Sequence, residues 1–197
     1  MALHRLRFVF WRVAAAQHQR HGDPYEKFGP AMLKGIDPLL NAELLHALRA
    51  MGHGDEIAVV DANFPAATMA RRLIRLDGID AVRAVEAILS LLPLDDFVDH
   101  PASRMQVVGD ADAVPPVCQE FQKQVDRAAG KRTPLATIER HAFYERVKRC
   151  YAVVATGETR LYGNLIITKG VIRPLGARAG GTRAGGRRPE GGRRKGR

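Results

Sequence analysis

The chain has 197 residues, 46% of them hydrophobic and 26% charged, with a formal net charge of +10. That mixture excludes a fibrous or wholly disordered chain and fits one globular domain with appendages better than two full domains. No apolar run approaches the roughly 18 residues of a membrane span, and Cys118 and Cys150 give neither a metal spacing nor a disulfide framework, so both read as reduced, buried thiols.

The basicity is confined to the ends. Residues 1–31 carry five Lys/Arg against two Asp/Glu, and residues 174–197 carry eight against one, so residues 32–173 are neutral. A charge of +10 would suggest a nucleic-acid partner, but a neutral body does not. Residues 1–31 begin MALHRLRFVFWRVAAA, where Arg12 interrupts the apolar run and makes a secretory signal a poor fit. Met1–Gly22 partly meets the Arg-rich, acid-poor pattern of a transit peptide. The segment reads as a disordered extension or a non-native start, since Met32 could itself open a compact domain.

Within the body, Asp37-Pro38 can start a turn of helix, and Asn41 can cap a helix through Met51 that ends at Gly52. EIAVVD reads as a short strand buried on both faces, and RRLIRL as another. DAVRAVEAILSLL has helical spacing and stops at Pro93. RMQVV is a third strand candidate, and PPVCQEFQKQVDRAAG opens with prolines and closes with glycine, as a helix should. A short strand at LATIE precedes a helix at HAFYERVKR, and YAVVATG and GNLIITKG read as an antiparallel pair joined by ETRLY. Strands alternating with helices predict a three-layer α/β/α sandwich with a mostly parallel, partly mixed sheet. The tail at 174–197, rich in Arg and Gly, cannot bury enough apolar surface to offset chain entropy and reads as disordered. Its arginines offer RNA only a contact without sequence preference.

GHGD is not a dinucleotide fingerprint, because it follows a helix and precedes a strand, the reverse of what that motif needs. GNLIITKG lacks the Walker spacing, so nucleotide cofactors are set aside. His53, in the turn before EIAVVD, is either a polar turn residue or an acid/base group, since imidazole exchanges protons near neutral pH. Asp61 ends the strand, where a carboxylate suits either a ligand or a turn. The strand from Glu56 to Asp61 should span roughly 17–20 Å, so a site shared by His53 and Asp61 needs a bent path or a second subunit. In RHAFYER, Phe143 and Val147 can face the core while Arg140 and Tyr144, four apart, can face one cleft. LYGN is turn-like, and reads either as a hairpin turn or as an extended segment on which Tyr162 and Asn164 alternate onto one side and supply a phenol and a carboxamide, both hydroxyl binders.

GHGDEIAVVDANFPA, HAFYERVKRCYAVVATGE and YGNLIITKGV, with MLKGIDPLL ahead of them, resemble the fucose mutarotase branch of the ribose pyranase/fucose mutarotase family over about residues 32–173. The resemblance implies a mutarotase-like catalytic domain of α/β/α form, assembled into rings, commonly decamers, with sites near subunit contacts. It implies that His53 takes the place of the proton-donating histidine and Asp61 that of the sugar-binding aspartate. Arg140 then holds the binding position ahead of AFYER, where the pyranase branch more typically has histidine. Tyr162, Gly163 and Asn164 match the YGN binding segment, and Tyr144 matches the tyrosine of AFYER. Asn63 and His141 depart from the pattern, standing where similar sequences often carry histidine and phenylalanine.

The expected activity is interconversion of the α and β anomers of L-fucose or a related aldose by acid/base ring opening and closing, in the cytoplasm, with no cofactor, no metal and no membrane contact. Exchange of ribose between pyranose and furanose is the alternative within the family. A non-catalytic sugar- or RNA-binding protein that works through its basic tail is the alternative outside it.

Overall fold

The structure is a computed structural model that describes residues 33–173. The expectations for the extension at 1–31 and the tail at 174–197 lie outside the described residues.

Caps and breakers place the helices close to where the sequence puts them. Helix α1 spans Ala42–Ala50, and the Leu44 N–H donates to Asn41 Oδ1 at 2.9 Å, satisfying a donor that the first turn leaves orphaned. Asp37-Pro38 makes a turn rather than a helix; Asp37 Oδ1 accepts the Leu39 N–H and bends the chain locally. Helix α2 is the short Ala66–Met69. Asp80 caps α3 (Ala81–Leu89) by accepting the Arg83 N–H at 2.9 Å. Helix α4, Pro116–Ala129, has proline in its first turn and ends on Gly130 at φ +66°, a conformation glycine adopts without steric cost. Helix α5 is Arg140–Val147, capped by Glu139, whose Oε2 accepts the N–H groups of His141 and Ala142.

Six strands alternate with these helices: β1 Glu56–Val60, β2 Leu73–Leu76, β3 Ala102–Met105, β4 Ala136–Ile138, β5 Ala152–Thr156 and β6 Leu165–Thr168. They form one sheet in the order β2-β5-β1-β6-β3-β4. The pairs β1/β5, β2/β5 and β3/β4 are parallel, whereas β6 is antiparallel to both of its neighbours, β1 and β3. The sheet is therefore mostly parallel with one reversed strand.

Alternation along the strands sorts the core onto two faces. Ile57, Val59, Val154, Leu165 and Ile167 pack under α1, α3 and α4, against Leu44, Val85, Ile88, Phe121 and Val125. Ala58, Val60, Val153, Ala155 and Ile166 pack against Phe143, Val147 and Phe64 on the other side. Helices on both faces make the three-layer sandwich, and the RHAFYER segment turns Phe143 and Val147 inward as its spacing predicts. Cys118 and Cys150 are free and buried. No helix among the described residues is long and apolar enough to cross a membrane.

Two expectations for the strands differ as well. Strands β5 and β6 run in opposite directions but are not partners, because β1 lies between them. Both are buried along their whole length, so each needs a neighbour on either side, and β1, equally apolar, fills the gap. Strand β3 lies two residues earlier than RMQVV and ends at Met105. Its edge continues only as the Gln106 N–H donating to the Ile138 carbonyl at 2.8 Å.

Candidate active site

The reversed strand brings two distant polar residues together. Asp61 follows the last residue of β1 and Asn164 precedes the first residue of β6, and the antiparallel register Val59↔Leu165 sets these ends side by side. The Asp61 N–H donates to Asn164 Oδ1 at 3.1 Å, and Asn164 Nδ2 donates to Asp61 Oδ2 at 2.7 Å. The Asn63 N–H donates to the other carboxylate oxygen at 3.0 Å. Both side chains are nearly buried. Burial pushes the Asp61 carboxyl above its usual range, against hydrogen bonds from Asn63, Asn164, Phe64 and Gly163 that pull it down. Each carboxylate oxygen keeps a lone pair beyond the bond it already accepts, which suits it to a sugar hydroxyl.

Of the two readings of LYGN, the structure takes the turn: the segment before Asn164 is not an extended run. Tyr162 has φ +64°, alone among the described non-glycine residues. Its side chain and that of Asn164 therefore find separate partners: the Tyr162 hydroxyl accepts the Val108 N–H at 3.1 Å. Gly163 has no room for a side chain, since a Cβ there would sit 2.7 Å from Glu158 Cγ and 3.4 Å from Asp61 Cβ. Glu158 is itself buried and clasped by Arg160 through Nε at 2.9 Å and Nη2 at 2.7 Å, while Arg160 Nη1 reaches Glu120 at 2.8 Å. The Arg160 bond holds the Glu158 carboxyl below its usual range and raises the guanidinium in turn. This clasp fixes the floor of the turn, and it was not singled out in the sequence because Glu158 and Arg160 read there as loop charges.

Arg140 and Tyr144 arrive at the same edge, since α5 starts just beyond the end of β4, which runs parallel to β1 through β3 and β6. The Tyr144 ring meets Phe64 edge-on at 5.3 Å, three residues after Asp61. Arg140 Nη2 lies 3.3 Å from His141 Nε2, and the buried Arg140 Nε has no acceptor among the described residues.

His53 sits at the opposite edge, before β1 begins. Five residues of strand separate it from Asp61, about 16 Å at the usual rise, so one chain does not bring the two together. Its own surroundings are organised: Nε2 lies 3.1 Å from Asp95 Oδ1, and the Phe97 ring stands 5.3 Å away. Asp95 is 4% exposed against 46% for the His53 side chain, and its Oδ1 also accepts the Phe97 N–H at 3.0 Å. Gly170 lets the chain pass here, because a Cβ would lie 2.3 Å from the Leu94 carbonyl oxygen and 2.7 Å from Asp95 Cα. A carboxylate at Nε2 can only accept, so the neutral imidazole carries its proton on Nε2 and leaves Nδ1 as a base. Asp95 is a further residue that spacing did not reveal, lying two residues beyond the helix stop at Pro93.

An α/β/α sandwich with a carboxylate and a carboxamide at one strand edge and a carboxylate-backed histidine at the other has the groups to hold a small polyol and to move a proton. The chain belongs to the RbsD / FucU transport protein family, which it matches over residues 34–172. It is 49% identical to the fucose mutarotase of Homo sapiens over 146 residues, 71% of this chain and 94% of the human protein. It is 44% identical to the L-fucose mutarotase of Histophilus somni over 140 residues, 71% of this chain and 97% of that one. The crystal structure of the fucose mutarotase in complex with L-fucose from Streptococcus pneumoniae superposes with a TM-score of 0.67 at 41% identity, covering 72% of this chain and all of the other.

Proposed function

We propose that the protein interconverts the α and β anomers of L-fucose. The observation that carries this is the superposition on an L-fucose-bound mutarotase at 41% identity across that protein's full length. The chemistry asks only for proton transfers. A base takes the proton of the anomeric O–H while an acid protonates the ring oxygen, and the C1–O5 bond breaks to give the open aldehyde. Rotation about C1–C2 and the reverse transfers close the ring with the other configuration. His53 is the acid/base group, held in one tautomer by Asp95. Asp61, Asn164 and Arg140 hold hydroxyls, with Tyr162 and Tyr144 walling the site and the Gly163 backbone admitting the sugar. No cofactor enters any step.

Because His53 and Asp61 occupy opposite edges of one sheet, the complete site joins the His53 edge of one copy to the Asp61 edge of the next. Exposed apolar side chains stand at both edges: Phe97 and Val98 near His53, Val108 and Leu161 near Tyr162. A head-to-tail contact of this kind closes into a ring when the rotation per copy divides a full turn, in keeping with the decamer implied by resemblance. The reading places the enzyme in the cytoplasm, which suits two unpaired, buried thiols.

The test is exchange NMR on α- and β-L-fucose. Wild type should speed the interconversion well above the spontaneous rate and His53→Ala should not. Equal rates for the two would refute the mechanism.

A further inference from the structure

A second cluster of charge lies outside the sugar site. Arg104 in β3 is 6% exposed, and it lines the same groove as Cys118. A guanidinium has five N–H donors. Among the described residues, the single oxygen acceptor of Arg104 is the carbonyl of its own neighbour Met105, at a long 3.5 Å, and no carboxylate pairs with it. A buried cation in that state is costly unless an anion joins it.

Arg104 lines a groove of about 420 Å³ between α4 and the β3/β4 edge. Lys123 and Arg132 border the same groove. The one acid there, Asp126, is already taken by Arg132, the Thr133 N–H and Gln122, so the excess charge is positive. Lys123 is exposed and pairs with no acid among the described residues. Val114, Pro134 and Leu135 supply apolar walls.

We propose that this groove binds a small phosphate monoester, with the phosphate group between Arg104 and Lys123. Arginine's planar fork matches two phosphate oxygens at once, and a dianion answers two cations. The volume is that of a small-molecule site and exceeds what inorganic phosphate fills, leaving the apolar walls for the ester's organic part. The groove also touches the sugar site. The Cys118 thiol points at the Tyr162 carbonyl at 3.6 Å, and the Met105 N–H donates to the Asn164 carbonyl at 3.4 Å. A phosphate ester and the sugar therefore alter each other's affinity, by reciprocal linkage. This coupling rests on the sugar assignment of Tyr162 and Asn164; the phosphate site does not.

Calorimetric titration of the full chain in a low-salt buffer tests it, with glucose 1-phosphate, inorganic phosphate and glucose as probes. Glucose 1-phosphate should bind more tightly than either control. Arg104→Gln should weaken it by about 10–100-fold and Lys123→Gln by about threefold to tenfold, the ranges expected for lost charge-assisted hydrogen bonds. If Arg104→Gln does not fold, Lys123→Gln and Arg104→Lys carry the test, and both keep the basic tail, so binding by the tail would leave their affinity unchanged. Affinity unmoved by Lys123→Gln in a folded chain, or no advantage over glucose, overturns the site. Equal affinity for inorganic phosphate overturns the ester. A KM for fucose that ignores saturating glucose 1-phosphate overturns the coupling alone.

Discussion

Asp61 and Asn164, 103 residues apart, exchange two hydrogen bonds, each serving the other as donor and acceptor. The pair ties the exit of β1 to the entrance of β6 and presents a carboxylate and a carboxamide together. Replacing Asn164 by Ala removes both bonds and leaves a buried carboxylate oxygen and a backbone N–H without partners. Thermal unfolding should register a loss of about 1–3 kcal/mol, and fucose binding should weaken in parallel. A variant of unchanged stability would show that the pair is not a structural tie.

Gly163 permits a close pass that no other residue can make. A methyl group there meets Glu158 Cγ, and Glu158 cannot step aside because Arg160 grips both of its oxygens. Gly163→Ala should cost about 1–3 kcal/mol, as overpacking typically does, and should reduce anomer exchange. Adding Glu158→Ala opens the space, so the double variant should recover part of the packing loss while giving up the clasp.

Two carboxyls give opposite pH signatures. Burial raises Asp61 above its usual 3.8, so it binds a proton more readily folded than unfolded. Its contribution to stability therefore falls as pH rises from about 3.8 through the raised folded value. The Arg160 bond lowers Glu158 below its usual 4.5, so its contribution is full above about 4.5 and is lost as pH falls through the lowered value. Urea unfolding between about pH 3 and 7 should show Asp61→Asn gaining on wild type as pH rises through the first window. Glu158→Gln should close on wild type as pH falls through the second. A pH-independent gap in either comparison removes that assignment.

His53 and Asp95 should separate chemistry from positioning. His53→Ala should lower catalysed exchange by about 10²-fold or more. Asp95→Asn keeps the shape but replaces an oxygen that can only accept with an amide that can also donate to His53 Nε2, so the tautomer is no longer fixed and the rate should fall by a smaller factor. An exchange rate unchanged by Asp95→Asn would make Asp95 a packing residue only.

The proposal that the site is shared between copies can be tested by complementation. Mixed rings of His53→Ala and Asp61→Asn chains at equal amounts contain some contacts where both residues are intact, about a quarter under random head-to-tail assembly. Activity should reappear on refolding the two inactive variants together. Phe97→Glu, at a side chain 65% exposed, should yield smaller species that keep their circular dichroism and lose exchange activity.

Much of the fold could be read from the sequence, because caps and breakers act locally. Asn41, Asp80, Pro116 and Gly130 bound their helices by bonds or dihedrals that lie within a few residues. The strand order could not be read in that way. β1, β5 and β6 are all apolar on both faces, so their periodicity holds no record of which lies between the others. The site divides along the same line. Asp61, Asn164, Tyr162 and Gly163 share an edge as the motifs suggested, and the strand's length foretold the separation of His53. Asp95 was hidden because its partner His53, forty-two residues away, meets it only through tertiary packing, and Glu158 because nothing in ETRLY marks its burial against Arg160 and Gly163. The positive φ of Tyr162 was hidden too, since nothing in LYGN marks a left-handed tyrosine.

The placement of β6 has a consequence for how the chain is made. Residues 165–168 slot between two strands synthesised long before them, so the middle of the sheet is the last of its strands to emerge from the ribosome. Until then β1 and β3 each present a bare backbone edge, the kind of surface that recruits stray strands, and Asp61 waits without its amide. Closing that gap seals the nascent chain against mispairing and assembles the Asp61–Asn164 pair in the same event. A chain cut short before Asn164 would lack both the safeguard and the pair.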